Sequence, residues 1–526
     1  MDASAGRSAV PRHPVGRAGA SPAGPSGGGP PATGGGPATA SRPPGGPGPA
    51  AGRPRRRVRR TAALAVLLAA ILVVGGVAVV RWRAADRAGT AAGEAAEPTP
   101  PPVLAALGAG APEPTPDGVR SAIDGLVTGA ALGGRLNVAV LDPVTGQTLY
   151  DHGGDLATVP ASTTKIITAV TVLASRGPAY RIPTRVVAGA TPGEVVLVGG
   201  GDPTLAINGT GYYPGAGRLD RLADQVRKAL GGATPSKVVL DGSLYSGPVL
   251  GPGWDGDVAT AGYGAAATAL MTDGARVDPK APPGMTPRVS APDLAAGRSF
   301  AGLFGLPAEA VSQGQAPAAP GGSAAASPGA GSPAPGAELG RVESPPMVRL
   351  VDFMLSESDN VVAEALARQV ALARNQPASF AGAATAVRAA LTDLGLPADQ
   401  SSLADGSGLS RNNRLSPDLL AQTLALAGSG KRPELTSLVT GLPVAGWSGT
   451  LGERFTARSG TAAGAGVVRA KTGTLTGVNA IAGVLTTVDG RLLSFAALAD
   501  GVTAGSPAAE ARLDRIAVTL AGCGCR

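Results

Sequence analysis

The spacing of hydrophobic positions changes near Asp117, and from there on it predicts regular structure. Helical spacing is predicted over the following stretches: 119–127, 162–172, 218–230, 347–374, 380–395, 416–427 and a last helix from Ser506. Apolar runs bounded by turn residues predict strands at 136–141, 147–150, 194–198, 237–240, 467–471, 479–488 and 492–498. Strands at both ends of this region, with helices around them and a different pattern between, predict an α+β fold with an inserted middle.

The same patterns divide the chain into parts. Residues 1–60 are dominated by Gly, Pro, Ala, Ser and Arg, so they are expected to form a disordered tail. The remaining parts that we predict are a transmembrane anchor at 61–80, a Pro/Ala-rich stalk at 81–116, a catalytic domain built from 117–184 and 345–526, and an inserted β-rich domain at 185–344 that carries a low-complexity loop at 313–338.

Twenty consecutive residues without a charge run from Thr61 to Val80. A helix of that length spans about 30 Å, the hydrocarbon thickness of a bilayer. A cleaved signal peptide is the alternative, but its apolar core is usually only ~7–15 residues long. More arginines precede the run than follow it, so we expect a single-pass protein of the cell membrane with a cytoplasmic N-terminus and an extracytoplasmic catalytic domain.

The charge of the chain is concentrated in its first part. The whole sequence has 45 Lys and Arg against 37 Asp and Glu, a net +8. Residues 1–116 hold 13 Arg and 5 acidic residues, which also gives 13 − 5 = +8 and leaves 117–526 formally neutral. The basic balance therefore does not indicate a nucleic-acid partner.

Histidine and cysteine are too scarce for several common kinds of site. The only histidines are His13, in the tail, and His152, next to a predicted turn. A Ser-His-Asp triad or a histidine metal site is therefore poorly supported, and we expect no metal and no cofactor. Cys523 and Cys525, one residue apart, are poorly spaced for a structural disulfide.

Three short motifs supply a different chemistry. They are Ser162-Thr163-Thr164-Lys165, Ser358-Asp359-Asn360 and Lys471-Thr472-Gly473. Only six of the 45 basic residues are lysines, and two of these six fall in the motifs. A desolvated lysine can lose its proton, whereas arginine cannot, so lysine suits the role of a general base. The spacing in the first motif places Lys165 on the same side of the first helical turn as Ser162.

The order S-x-x-K, S-x-N and K-T-G resembles that of the penicillin-recognising serine acyl-transfer enzymes. In particular, residues 117–526 resemble the low-molecular-mass penicillin-binding proteins that act as D-alanyl-D-alanine carboxypeptidases and endopeptidases. In that subgroup a large insertion separates the first two motifs, and here 358 − 162 = 196 positions separate the serines. Further matches are Gly199–Leu205 as GGGDPTL, Ser344-Pro345-Pro346, Ala363-Glu364, Asp405–Arg411 as DGSGLSR, Ser416-Pro417 and Gly449-Thr450-Leu451.

The resemblance implies roles for the residues of the first two motifs. Ser162 is expected to attack the carbonyl of the penultimate D-alanine, and Lys165 to accept its proton. Ser358 is expected to relay a proton to the leaving amine. Asn360 is expected to hold the substrate amide and to orient Lys165. Asp359 fits a surface or helix-cap carboxylate better than a catalyst.

The third motif is expected to bind the substrate. Lys471 would bind the terminal carboxylate, with Thr472 as a hydrogen-bond partner. The backbone N–H groups of Ser162 and Thr474 would form the oxyanion hole. Asp405 would lie near the site without touching the substrate.

The resemblance also implies a β-lactamase/transpeptidase-like fold, in which helices flank an antiparallel sheet. The expected partners are peptidoglycan stem peptides and β-lactam antibiotics, which would acylate Ser162. A β-lactamase-like hydrolase and a catalytically silent wall-binding protein are the alternatives. The sequence does not separate carboxypeptidase from endopeptidase activity, and it does not indicate the diamino acid of the stem peptide or the oligomeric state.

Overall fold

The computed structural model describes residues 110–129, 132–319 and 333–526, which belong to the unit Pro100–Arg526. The predicted tail, the predicted anchor and residues 81–109 of the predicted stalk lie outside the described residues, as do residues 320–332 of the low-complexity loop. Within the described part, no helix has both the length and the apolar character that a bilayer crossing requires. The membrane anchor therefore stays a prediction.

A five-stranded antiparallel sheet joins the two ends of the described chain. Its strand order is β10-β11-β12-β1-β2. The strands are β1 (Arg135–Leu141), β2 (Thr148–His152), β10 (Arg469–Leu475), β11 (Val478–Thr486) and β12 (Leu492–Asp500). β1 pairs with β12 over its full length, with Arg135 opposite Asp500. The predicted strands at both ends of the chain are thus confirmed, and they lie in one sheet.

Helices cover both faces of this sheet. Helices α1 (Pro116–Val127) and α10 (Ser506–Ala521) pack on one face, where Val138 and Val140 point. Ala139 points to the opposite face and joins a second core, because successive strand residues alternate between faces. The second face is covered by a different set of helices. They are α2 (Thr164–Arg176), α5 (Met347–Ser356), α6 (Asn360–Ala373), α7 (Phe380–Asp393), α8 (Pro417–Gly428) and α9 (Thr436–Thr440).

Helix α2 is the central helix of this layer. All of its residues from Thr164 to Leu173 are buried, so the helix is surrounded by protein rather than amphipathic. Its neighbour α6 is buried from Val361 to Ala371. The two helices therefore hold their first turns, which carry the first two motifs, in fixed positions relative to one another.

A second five-stranded sheet is built from residues between the first two motifs. Its order is β6-β5-β4-β3-β7, and its strands are β3 (Pro183–Ala188), β4 (Glu194–Val198), β5 (Lys237–Asp241), β6 (Val311–Gln313) and β7 (Glu338–Glu343). β4, β5 and β6 are parallel, whereas β3 is antiparallel to both β4 and β7. Helices α3 (Leu219–Ala229) and α4 (Pro292–Gly302) contribute to its own apolar core. A two-residue ladder pairs β8 (Ser401–Ser402) with β9 (Arg414–Leu415).

Some sequence predictions differ from the structure. Strands β3, β6 and β7 and helix α4 were not predicted. The last predicted helix does begin at Ser506, and Gly505 at φ 84° precedes it. Cys523 and Cys525 lie close together near the end of the chain, with their Cα atoms 5.0 Å apart.

Candidate active site

Ser162 lies in a tight turn that leads into α2. Residues Ala161–Thr163 form a single 3₁₀ turn, and α2 begins at Thr164. Ala161 has a positive φ of 48°, an unusual conformation for a residue with a side chain. Ser162 itself is half-buried, so its hydroxyl is held at the helix start and remains accessible to a ligand.

Two glycines pack directly against the backbone of this turn. A Cβ at Gly408 would lie 1.8 Å from the carbonyl oxygen of Ala161, and Gly408 also has a φ of +86°. A Cβ at Gly473, in the third motif, would lie 2.7 Å from the carbonyl oxygen of Pro160 and 3.1 Å from the nitrogen of Ser162. The third motif therefore lies against the first, and only glycine allows the backbones to approach so closely.

Lys165 is fully buried and has three hydrogen-bond partners. Its Nζ lies 2.9 Å from Ser162 Oγ, 2.5 Å from Asn360 Oδ1 and 2.7 Å from the carbonyl oxygen of Ser407. The structure therefore brings the first two motifs together around one amine. It also adds Ser407, a partner that the sequence analysis did not identify.

The chemistry of these partners is compatible with an uncharged amine as well as with a charged one. Asn360 Oδ1 and the Ser407 carbonyl can only accept hydrogen bonds, while a serine hydroxyl can also donate. A neutral amine has two hydrogens and one lone pair. If the hydrogens of Lys165 are directed at the two acceptors, its lone pair is left for the Ser162 hydroxyl. This arrangement would allow a proton to pass from the serine hydroxyl to the lysine amine.

Burial of Lys165 favours the uncharged form of its amine. It lowers the pKa of the amine from the usual 10.5 to about 8. The negative charges of Asp405, Asp359 and Glu364 oppose this effect and raise the pKa. An appreciable fraction of the protein therefore carries a neutral Lys165 near neutral pH.

The second motif lies in the turn between α5 and α6. Ser358 is half-buried and has a positive φ of 56°. Asp359 caps α6 by accepting hydrogen bonds from the backbone of Val361 and Val362 at 2.9 and 3.1 Å. The cap interpretation of Asp359 thus agrees with the structure, and its other oxygen accepts a 2.6 Å hydrogen bond from Tyr213 Oη.

Asn360 joins three parts of the chain. Its Oδ1 faces Lys165, and its Nδ2 donates a 2.7 Å hydrogen bond to the carbonyl oxygen of Tyr263. Because a carbonyl oxygen accepts only, the contact with Tyr263 defines which way the amide points. The region between the first two motifs therefore reaches the site through Tyr263, whose side chain is 46% exposed.

The third motif lies on β10. Lys471 is fully buried, and its Nζ donates a 2.8 Å hydrogen bond to the carbonyl oxygen of Thr472. Burial lowers the pKa of Lys471 well below its usual value, and the charges of Lys165 and Arg454 add to this effect. The Thr472 hydroxyl donates to Thr450 Oγ1 at 2.8 Å. An anion bound at Lys471 would offset both its desolvation and this repulsion.

Thr474 lies one residue beyond the glycine that contacts the turn. It is exposed, and its hydroxyl is 3.5 Å from Glu510 Oε1. The site residues predicted from the sequence thus lie on three elements: the start of α2, the turn before α6, and β10. Asn360 contacts Lys165, and Gly473 lies against the turn that holds Ser162.

Sequence reasoning gave no role to several groups that the structure brings to the site. The carbonyl of Ser407 contacts Lys165, that of Tyr263 contacts Asn360, and Thr450 contacts Thr472. Ser407 and Thr450 fall inside short motifs that the resemblance had singled out. Tyr263 carries no such signal, because a backbone carbonyl is independent of the side chain.

The described part of the chain also matches a known protein family. Residues 119–312 and 327–522 match the model of the D-Ala-D-Ala carboxypeptidase 3 (S13) family. The chain belongs to this family. The resemblance inferred from the three motifs is therefore confirmed, and the protein is a serine-type D-Ala-D-Ala carboxypeptidase of the penicillin-binding class.

Relatives of this S13 chain cover most of its length. A carboxypeptidase of Mycobacterium tuberculosis is 38% identical over 440 residues, which cover 81% of this chain and 90% of the relative. Carboxypeptidase DacB of Mycolicibacterium smegmatis is 36% identical over 482 residues, which cover 90% of this chain and 99% of the relative.

Among solved structures, penicillin binding protein 4 of Haemophilus influenzae has a similar fold. The TM-score is 0.59 at 22% identity, and the match covers 76% of this chain and 97% of the other. The expected β-lactamase/transpeptidase-like fold of sheets and helices is thus confirmed for this S13 chain.

Proposed function

We propose that Ser162 is the nucleophile of this carboxypeptidase and Lys165 its general base. The observation that carries the proposal is the buried amine of Lys165, 2.9 Å from Ser162 Oγ, with two other acceptors for its hydrogens. Among the described residues no histidine is a hydrogen-bond partner of Lys165 or Ser162, and it is the lysine that can take up the serine proton.

Acylation would proceed as a substitution at the carbonyl of the penultimate D-alanine of a peptidoglycan stem peptide. Ser162 Oγ forms a bond to the carbonyl carbon while its proton passes to Lys165. The C–N bond to the terminal D-alanine then breaks, and Ser358 passes a proton to the leaving amine. Water subsequently hydrolyses the ester and restores the hydroxyl of Ser162.

Groups on β10 and in the serine turn would bind the substrate. Lys471 would pair with the terminal carboxylate, and the Thr472 hydroxyl would turn from Thr450 to donate a hydrogen bond to it. The backbone N–H groups of Ser162 and Thr474 would stabilise the oxyanion. Asn360 would orient Lys165 and hold the substrate amide. A β-lactam would acylate the same serine because its ring amide and carboxylate mimic the dipeptide.

Covalent labelling tests the assignment. The full-length chain should be marked by a labelled penicillin, and Ser162→Ala should remove the mark. Ser459→Ala, an exposed serine outside the site, is the matched control and should label normally. Lys165→Met should slow labelling strongly, whereas Lys431→Met, at an exposed lysine, should not. A label that survives in Ser162→Ala would refute the proposal.

Product analysis tests the reaction and its alternatives. Mass spectrometry should detect D-alanine release from a defined pentapeptide, and a cross-linked dimer offered in parallel would reveal endopeptidase activity. Rapid release of penicilloate would instead favour a β-lactamase-like hydrolase. A chain that releases no D-alanine would favour a catalytically silent wall-binding protein.

We also propose that the catalytic domain comprises residues 117–184 and 345–526 and that residues 185–344 form the inserted domain. The strands of the second sheet support this, because they share one apolar core and lie between Pro183 and Glu343, with only the first two residues of β3 before the proposed boundary. Expression of residues 185–344 alone provides a test. A cooperative thermal transition is expected, and an unfolded product would count against the division.

Residues 61–80 are proposed to hold the protein in the cell membrane with the catalytic domain outside. The uncharged run and the flanking arginines support this. The full-length chain should fractionate with membranes and be digested by protease added to intact spheroplasts. Protection of the catalytic domain from that protease would contradict the proposed orientation.

A further inference from the structure

The carbonyl oxygen of Ser407 is one of the two acceptors for the hydrogens of Lys165. We propose that two buried carboxylates, Glu364 and Asp405, are positioning residues for Lys165 and act through the backbone of residues 406–408. The inference rests on the proposed roles of Ser162 and Lys165. Neither carboxylate has a part in the acyl-transfer steps.

Glu364 holds the first half of this backbone segment. It lies on α6, one helical turn after Asn360, and is 3% exposed. Its Oε1 accepts hydrogen bonds from the N–H groups of Gly406 and Ser407 at 3.1 and 2.8 Å. Its Oε2 lies 3.3 Å from Arg368 Nη1, which is equally buried. The same helix therefore supplies both Asn360, which contacts Lys165 directly, and the carboxylate that holds the second acceptor.

Asp405 holds the other half. Its Oδ1 accepts a 2.8 Å hydrogen bond from the N–H of Gly408. That N–H and the Ser407 carbonyl belong to one peptide group, so a chain of hydrogen bonds runs from Asp405 through the peptide to Lys165. Each bond of such a chain polarises the next. Asp405 accepts three further hydrogen bonds, from Ser410 N, Asn413 Nδ2 and Trp254 Nε1.

The two carboxylates also act on Lys165 through their charge. Asp405 and Glu364 both raise the pKa of the lysine, and so does Asp359, whereas burial lowers it. Burial and the charge of Asp405 raise the pKa of Glu364 to about 7, and Arg368 opposes this. Removing either charge should therefore make Lys165 easier to deprotonate while loosening its position.

The pH dependence of acylation separates positioning from general structural support. The assay is the rate at which a labelled penicillin acylates the full-length chain from pH 5 to pH 9. In the wild-type chain the rate should rise with pH as Lys165 loses its proton, and we call this rising part of the pH–rate profile the acid limb. In Glu364→Gln and in Asp405→Asn, we expect the acid limb to move to lower pH. We also expect the plateau rate to fall by about 10- to 100-fold, because small displacements of a catalytic group are costly.

Thr168→Val is the matched control. Thr168 Oγ1 donates a 2.7 Å hydrogen bond to the carbonyl oxygen of Gly406, so the variant loosens the same loop without changing a charge. Its plateau should fall while its acid limb stays in place. Glu364→Asp, which keeps the charge, should also leave the limb in place.

An acid limb that stays at the wild-type position in both charge-removing variants would overturn the inference, as would an unchanged plateau. If one of the two charge-removing variants does not fold, the other provides the same test. If neither folds, Glu364→Asp provides the test. A shift of the acid limb in Glu364→Asp, which keeps the charge, would contradict the role of charge. Failure of the proposed function is a distinct outcome, since it would appear as labelling that persists in Ser162→Ala.

Discussion

Raising the pH should accelerate acylation of Ser162, because Lys165 must be neutral to accept the serine proton. Burial lowers the pKa of Lys165 to about 8. At pH 7 about one tenth of the molecules then carry a neutral amine, and at pH 8 about half do. The acylation rate should therefore rise about fivefold from pH 7 to pH 8, and less than about twofold from pH 8 to pH 9.

The assay is a stopped-flow or gel-based measurement of labelling by a fluorescent penicillin at saturating concentration. Saturation matters because the pKa of Lys471 is lowered as well. This lysine therefore loses charge as the pH rises, and its affinity for the penicillin carboxylate should fall. Rate and affinity are thus expected to change in opposite directions, and a concentration series at each pH separates them.

Lys165→Arg is the decisive control. The guanidinium keeps the charge but cannot lose its proton, so the variant should acylate very slowly and without an acid limb. A wild-type rate that is constant from pH 6 to pH 9 would refute the reasoning. A limb centred near 10.5, the ordinary lysine value, would refute it too, because Lys165 would then behave as a solvated amine.

Three further predictions follow from the geometry of the site. Lys471→Ala should raise KM for a peptide with a free C-terminus by about 10- to 100-fold, as expected for loss of a hydrogen bond to a charge. The variant should have little effect on KM for a C-terminally amidated peptide, and an equal rise for both peptides would contradict carboxylate binding. Gly408→Ala should lower the free energy of unfolding by at least ~2 kcal/mol and slow labelling, since its Cβ would overlap the carbonyl oxygen of Ala161; an unchanged thermal midpoint would count against this packing. Tyr213→Phe should destabilise the protein by about 1.5–3 kcal/mol, because it removes the 2.6 Å hydrogen bond to Asp359; chemical denaturation that shows no change would mean that the contact is dispensable.

The chemistry of the site was readable from the sequence because much of it is local. Ser162 and Lys165 are three residues apart, and a helix start is enough to place them on the same side of its first turn. The β11–β12 hairpin is local in the same sense, with Gly490 at φ 85° in its turn. Patterns of this kind need only short-range rules, so most long elements were predicted correctly.

The middle of the chain was harder to predict. Strand β6 is three residues long, and β7 is only partly buried, so neither shows a clear alternation of apolar and polar positions. Strand β3 pairs with β7 across more than 140 residues. Pairing over such a separation depends on the whole fold rather than on the local sequence.

The sequence alone specified which groups are present: two serines, two lysines and an asparagine in a recognisable order. The fold decided the protonation state of these groups and the contacts that hold them in place. Lys165 is a candidate base because α2 is surrounded by protein and the amine is desolvated. Glu364 faces Ser407 from 43 residues away, and no local pattern encodes that contact. Burial and long-range contacts arise only when the chain is packed, and it is they that convert three short motifs into one site.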